Sequence, residues 1–332
     1  MKRLAVILLP LLLAACNVID DDLSVCGEEL VIDYQVQLHT ELSVQLQTEL
    51  TAETETPVRE ALEKWLAPIF TDKAKDVDLR FYSGQTDNMR HQIQERINDN
   101  RTSYTIRLPK EDYMHLAVAN IEDNRQVHLS GGEHSATMYI GMPASKEAGS
   151  LNTGVFTARL PMQVNDTTKR FEVHLYMITA AVALVIDTTG CGIVESVEGC
   201  MLGSACGFSV CDSVFAYTSQ PEILFENVPM GAGSNLPARQ AAQAASSHLC
   251  LATVGLATKD DSEWEVVCTA NLSDNKHTTT TLTVSEPLEA GTLRIIKAKM
   301  NPDGGLTPAN PKDIGATVVL DWKQGGEHEV DL

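Results

Sequence analysis

The residues best equipped for chemistry are eight cysteines, Cys16, Cys26, Cys191, Cys200, Cys206, Cys211, Cys250 and Cys268. Cys16 is set apart by what precedes it. Lys2 and Arg3 lead into an almost wholly apolar stretch from Leu4 to Leu13, then Ala14 and Ala15. A short basic start, an apolar core and small residues before a cleavage point make a secretory signal peptide, residues 1–15. The apolar stretch is too short for a membrane-spanning helix, which needs roughly 20 residues. The mature chain is therefore expected to start at Cys16. Beyond it, Cys191, Cys200, Cys206, Cys211, Cys250 and Cys268 all fall in the second half. An exported chain meets an oxidising compartment, so these six are possible disulfides in a connectivity the sequence does not fix. Free buried thiols are the alternative. A metal site is the weaker reading, since no Cys-x-x-Cys pair or following histidine pair occurs. Cys26 is left over, a candidate free thiol.

Leu13-Ala14-Ala15-Cys16 resembles a bacterial lipobox. The resemblance implies lipidation of Cys16, with acyl chains such as palmitate on the thiol and on the new amino group. Two or more chains give stable anchoring to a membrane. The alternative is an ordinary leader followed by an incidental cysteine. Residues 16–27 then form an acidic tether, Asn17 to Asp22 carrying three successive aspartates, whose charges keep it extended. Such a tract is similar to the acidic patch behind the lipidated cysteine of Bacteroidetes surface lipoproteins, which implies the outer face of the outer membrane.

Other reactive patterns are missing. Gly203-Ser204-Ala205-Cys206-Gly207 has its serine in the wrong place for a nucleophile elbow. Gly231-Ala232-Gly233 lacks the third glycine of a dinucleotide loop. Asp303-Gly304-Gly305 lacks calcium-loop spacing. His115 and His174 sit among strand residues and are expected to be packed or edge residues rather than ligands. Trp65, Trp264 and Trp322 are far apart and read as core before sugar-stacking platforms. No acid/base couple can be selected from so many carboxylates. The expectation is no enzyme, no cofactor and no metal. A net charge of −20 argues against nucleic acid as a partner. Asp166-Thr167-Thr168, Asp187-Thr188-Thr189 and Asp212-Ser213-Val214 are similar to Bacteroidetes O-glycosylation acceptors.

The elements that must carry these residues are mostly strands. Leu30, Ile32, Tyr34, Val36 and Leu38 alternate, and the pattern resumes over 42–50, as in half-buried strands. Thr56-Pro57 begins one amphipathic helix, with Val58, Ala61, Leu62, Trp65, Leu66 and Ile69 as its apolar stripe. Strand signals follow at 77–82, 103–108, 113–119 and 136–140. The run from Phe171 to Ile186 reads as one long buried strand. Further strands are expected at 208–217, 223–228, 249–257, 263–270, 278–284, 291–299 and 316–322, with 237–247 either helix or loop. Short strands at this spacing indicate all-β sandwiches. The boundary between two strand-rich halves, 28–165 and 166–332, is placed in the polar segment 161–170.

Several of these features together look like the FimB-type minor fimbrial anchor lipoproteins of Bacteroidales. They are Cys16, the acidic tract, Asp22-Leu23-Ser24-Val25-Cys26 and the alternating strand after it. Leu108-Pro109 before the strand Tyr113 to Asn120, the strand Val173 to Ile186, and the ending Val318-Val319-Leu320-Asp321-Trp322-Lys323 add to the likeness. The cysteine-rich 191–211 segment departs from that pattern. The resemblance implies two tandem transthyretin-like β-sandwich domains and a non-enzymatic role in cell adhesion. The protein would sit at the base of a type V pilus, fixing the fimbrium to the outer membrane and limiting its length. Its partner would be the first shaft pilin, bound by strand complementation. Gly325-Gly326 forms a hinge, and Glu327 to Leu332 is a short alternating end with Val330 and Leu332 on one face, a candidate pilin contact. The same end could instead complete its own sheet. The alternative function is a glycan-binding surface lipoprotein of a polysaccharide uptake system, which should show two or three aromatics side by side on an exposed sheet face.

Overall fold

A computed structural model describes residues 29–39, 56–71, 73–97, 101–122, 124–143, 145–191, 194–229, 248–273, 276–310 and 314–322. Cys16, Cys26, the strand expected over 42–50, the 237–247 segment, Val330 and Leu332 lie outside the described residues. In chain order the first strands are β1 (Glu29–His39), β2 (Asp76–Ser83), β3 (Met89–Arg96), β4 (Ser103–Pro109) and β5 (Asp112–Ala119). Next come β6 (His128–Ser130), β7 (Tyr139–Gly141), β8 (Glu147–Ala148), β9 (Phe156–Gln163) and β10 (Arg170–Met177). The second half holds β11 (Thr179–Asp187), β12 (Val194–Leu202), β13 (Gly207–Ser209), β14 (Val214–Ala216), β15 (Glu222–Leu224) and β16 (Glu226–Asn227). It ends with β17 (His248–Leu256), β18 (Trp264–Leu272), β19 (Lys276–Val284), β20 (Leu293–Met300), β21 (Leu306–Pro308) and β22 (Ile314–Trp322). One α-helix, α1 (Thr56–Leu66), stands between β1 and β2. The all-β expectation is borne out, and among the described residues α1 is the one α-helix.

The first sheet has seven strands in the order β3-β2-β5-β9-β10-β1-β4. Alternation explains β1: Ile32, Tyr34 and Val36 are buried while Val31 points out to solvent. Its pairing with β10 is parallel and all other pairs in this sheet are antiparallel. The helix buries Val58, Leu62 and Leu66, spaced i, i+4, with Ile69 in the turn behind them. Pro68 follows the last helical turn, where a residue that cannot continue a helix fits.

The apolar run 171–186 is two strands, not the single one expected. Val173, Leu175 and Met177 of β10 are buried on alternate positions, the mark of a one-sided strand. From Thr179 to Ile186 every residue of β11 is buried, the mark of a strand covered on both faces. The chain changes sheets between them at Ile178, whose N–H donates to the Val155 carbonyl at 2.9 Å. The polar segment 161–170, where the boundary was expected, is the end of β9 and the turn into β10. Polarity there reflects an exposed hairpin turn rather than a change of sheet.

Two more sheets make a sandwich in the second half. One runs β16-β17-β11-β20-β21 and the other β22-β19-β18-β12-β15-β8. The alternating row Trp264, Val266, Cys268, Ala270 and Leu272 of β18 is buried between them. A Cβ on Gly255 of β17 would meet Met201 Cε of β12 at 2.9 Å, so the two sheets approach closely there. The opposite face of β11 turns toward α1, where Val185 and Val58 line one groove. A four-stranded sheet, β14-β13-β7-β6, ties early to late segments, β7 pairing with β13. Likewise β8 pairs in parallel with β15. Segments 139–141 and 147–148 thus pair with the second half.

Candidate partner interface

A strand-accepting surface needs a free edge long enough to pair and nothing on it to prevent pairing. Edges in native sheets are blunted by charges, prolines, bulges or brevity. The first sheet ends in β3, which carries Arg90, Glu95 and Arg96, with Arg90–Glu111 and Arg96–Glu122 ion pairs across to neighbouring elements. Its other end, β4, carries Arg107 and stops at Pro109. In the five-stranded sheet the edges are β16, two residues, and β21, three residues ending in Pro308. The six-stranded sheet ends on one side in the two-residue β8.

The other side of that sheet is β22, and it is different. Nine residues, Ile-Gly-Ala-Thr-Val-Val-Leu-Asp-Trp, pair in continuous antiparallel register with β19 from Ile314↔Val284 to Trp322↔Lys276. The only charge is Asp321, near the end. Gly315 to Val319 are exposed, and Val318 and Val319 are 40% and 59% accessible. Among the described residues this is the long edge whose first seven residues hold no charge or proline. Behind it β19 is held by Thr278 donating to the Asp303 carbonyl and by Thr280 accepting from Leu306 N–H at 2.9 Å. Val330 and Leu332, the contact residues expected from sequence, lie outside the described residues but follow eight and ten positions after the strand's last residue.

Among the described residues Cys191, Cys200, Cys206, Cys211, Cys250 and Cys268 form no disulfide. Their directions explain it. Cys191 Sγ donates to the Asn301 carbonyl at 3.4 Å, Cys206 Sγ to the Ala216 carbonyl at 3.2 Å, and Cys211 Sγ lies 3.6 Å from Ser135 Oγ. Cys268 stands opposite Gly199, one residue from Cys200, and successive strand residues point to opposite faces. Burial pushes the thiols of Cys250 and Cys268 up to about 12.

His115 is fully buried on β5 and His174 is exposed on β10. Among the described residues no group of His, Cys, Asp and Glu could hold a metal ion. Among the described residues Tyr176 is the exposed large aromatic, and Phe215 and Tyr217, both half-buried, lie with ring centroids 6.5 Å apart. The edge character of β22 was missed by sequence reasoning, since a strand's neighbours are not written in its own residues.

Residues 63–198 match the family described as Fimbrillin-A associated anchor proteins Mfa1 and Mfa2. The resemblance to fimbrial anchors is borne out. No curated protein matches the chain by sequence. Among solved structures, a candidate polysaccharide-binding protein from Bacteroides thetaiotaomicron is 10% identical, with TM-score 0.53, covering 88% of this chain and 95% of its own. A candidate adhesin from the same organism is 10% identical at TM-score 0.53, covering 87% of this chain and 97% of its own. A third, a candidate adhesin from Bacteroides ovatus, is 12% identical at TM-score 0.50, covering 85% and 93%. These likenesses establish a shared fold spanning most of the chain. The family match is to fimbrial anchor proteins over the last turn of the helix, most of the seven-stranded sheet and the crossing into β11 and β12.

Proposed function

We propose that this protein is a non-enzymatic lipoprotein that anchors a fimbrium to the outer membrane and limits its length. Its two strand-rich halves act as tandem sandwich units. Lipid on Cys16 holds the chain at the surface, where two or more acyl chains resist extraction. A subunit fixed this way ends the polymer at its base. The first shaft pilin lays an extended segment along β22, whose main-chain groups supply affinity while alternate side chains supply specificity. Residues 327–332, with Val330 and Leu332 on one face, continue that contact. The observation that carries the reading is the unguarded nine-residue edge of β22 in a chain matching fimbrial anchors.

Cross-linking on intact cells tests it. Recovery of a shaft pilin attached near 314–322 is the expected result. Recovery of outer-membrane transporter components without pilin would replace the reading with glycan uptake. Cys16→Ala tests the tether separately: the variant should leave the membrane fraction, and continued lipid labelling would count against lipidation at this residue.

A further inference from the structure

The two faces of β22 can be told apart through its partner β19. Thr278, Thr280 and Leu282 of β19 are buried, while Thr279 and Thr281 between them are half-buried, so its even-numbered positions turn into the sandwich. Residues directly opposite each other share a face. Thr279 pairs with Val319 and Thr281 with Thr317, which puts Thr317 and Val319 on the outer face. Thr280 pairs with Val318 and Leu282 with Ala316, which puts Ala316 and Val318 on the inner face. Val318 also lies against the bend at Gly305, where a Cβ would stand 2.9 Å from its Cγ1. Ala316 and Val318 point inward and are still exposed, because among the described residues no strand pairs beyond β22.

A strand that closes this edge must bring no charge against residues 314–320 and must offer small or β-branched residues to the same faces. A second copy of β22 meets both conditions. Laid antiparallel about a two-fold axis through Val318 and normal to the sheet, two copies overlap over all nine residues. Thr317 then stands opposite Val319 twice on the outer face, and Val318 opposite Val318 on the inner one. Such pairs of β-branched residues suit a pleated surface. Asp321, the one charge of the strand, stands opposite Gly315 rather than its own counterpart, so no like charges are opposed. A slip of two residues either way shortens the nine-residue overlap by two. In an antiparallel pair alternate residues exchange two hydrogen bonds each, so a nine-residue overlap makes about eight to ten. That is the number in an ordinary stable interface, about ten.

We infer that this chain, with no pilin present, forms an isologous dimer through antiparallel pairing of β22 with β22 of a second copy, centred on Val318. Each copy offers the same patch to the other, the arrangement of a closed two-fold pair. The pairing joins two six-stranded sheets edge to edge. It goes beyond the anchor reading and does not depend on it: a pilin strand that uses β22 has to displace the second copy. A net charge of −20 on each chain opposes the encounter, and salt screens that repulsion, so the dimer tightens as salt rises.

Sedimentation equilibrium of the purified chain from residue 16 onward, carrying Cys16→Ala so that no detergent is needed, tests the proposal. Expected is a monomer–dimer equilibrium that tightens between about 0.05 M and about 0.5 M salt. Val319→Lys should weaken it at least about tenfold, since lysine on an edge strand opposes pairing. A monomer at every concentration and salt would overturn the proposal, as would a dimer that Val319→Lys leaves intact. Register is read separately by mixing Thr317→Cys chains with Val319→Cys chains under mild oxidation and sequencing the linked peptides. The proposed pairing gives 317–319 links between copies. Links of 317 to 317 or of 319 to 319 in their place would mean a slipped register and overturn the centre at Val318. No pilin enters these experiments, so their failure leaves pilin capture to be judged by its own test.

Discussion

The hydroxyl of Tyr34 on β1 donates to Nε2 of His115 on β5 inside the first core, where neither residue reaches solvent. The tautomer follows from the other nitrogen. Nδ1 lies 2.9 Å from the Arg80 carbonyl, which can only accept, so Nδ1 carries the proton and Nε2 receives the Tyr34 hydroxyl. The imidazole also stacks on Phe81, ring centroids 4.3 Å apart at 15°. Every polar position of this buried ring is satisfied in its neutral form.

Charging that ring should therefore loosen the first sheet. Burial lowers the His115 pKa from 6.5 to about 4, against the smaller upward effect of the Arg80 carbonyl. With the folded value depressed, the unfolded chain binds the proton more readily. The stabilisation is complete above pH 6.5 and is lost as pH falls through about 4, amounting to about 3 kcal/mol. Urea unfolding at pH 7 and pH 4.5 checks this against a Tyr34→Phe, His115→Phe variant, which should lack this component. Equal pH dependence in both proteins would refute the assignment.

The free thiols predict a modification order. Cys206 is drawn down in pKa: burial opposes the thiolate, but hydrogen bonds from Ser219, Thr218 and Tyr139 outweigh it. Cys250 and Cys268 are buried at about 12, and Cys200 stands at about 11 through burial and the nearby Glu222 and Glu147. Since the thiolate is the reactive form, iodoacetamide at neutral pH should alkylate Cys206 ahead of Cys200, and Cys250 and Cys268 only on unfolding. Reductant should leave the melting temperature unchanged. A fall with reductant would restore the disulfide reading.

What was legible in the sequence was whatever depends on a residue's immediate neighbours. The stripe Val58, Leu62, Leu66 gave α1, and the alternation in β1 and β18 gave their buried faces. β3, with Met-Arg-His-Gln-Ile-Gln-Glu-Arg, was passed over because an edge strand has no need of an apolar row. Pairing was illegible for a different reason. Val36 and Val173 meet in a parallel pair, and Ile140 meets Phe208, across long stretches of chain. Nothing local distinguishes β22 as an edge or places Val185 beside Val58, so both the candidate interface and the groove needed the assembled sheets.

Charge on the open edge should abolish strand acceptance without touching the fold. Val319 is 59% exposed and its side chain supports no core. Val319→Lys adds the kind of residue by which native edges avoid pairing. Pilin capture by this variant should drop at least about tenfold, since β-augmentation depends on close main-chain approach. Its melting temperature should stay that of the parent. Unaltered capture would move the pilin contact away from β22.

The joint between early and late segments should be most sensitive at Gly207. A Cβ there would come within 1.9 Å of Tyr139 Oη and 2.7 Å of the Ile140 carbonyl oxygen. The tyrosine ring can swing aside, but the carbonyl belongs to β7, the strand against which Gly207 is registered. Relief requires parting β7 from β13, the contact by which the four-stranded sheet spans the chain. Overpacking of this kind costs about 1–3 kcal/mol, so Gly207→Ala should lower stability by that amount in urea unfolding. The damage should also be local. Hydrogen exchange should rise in 139–141 and 207–216 while β11 and β18, walled by the sandwich core, stay protected. Protection lost evenly over the whole chain would mean that the small sheet is no separate joint but one cooperative unit with the rest.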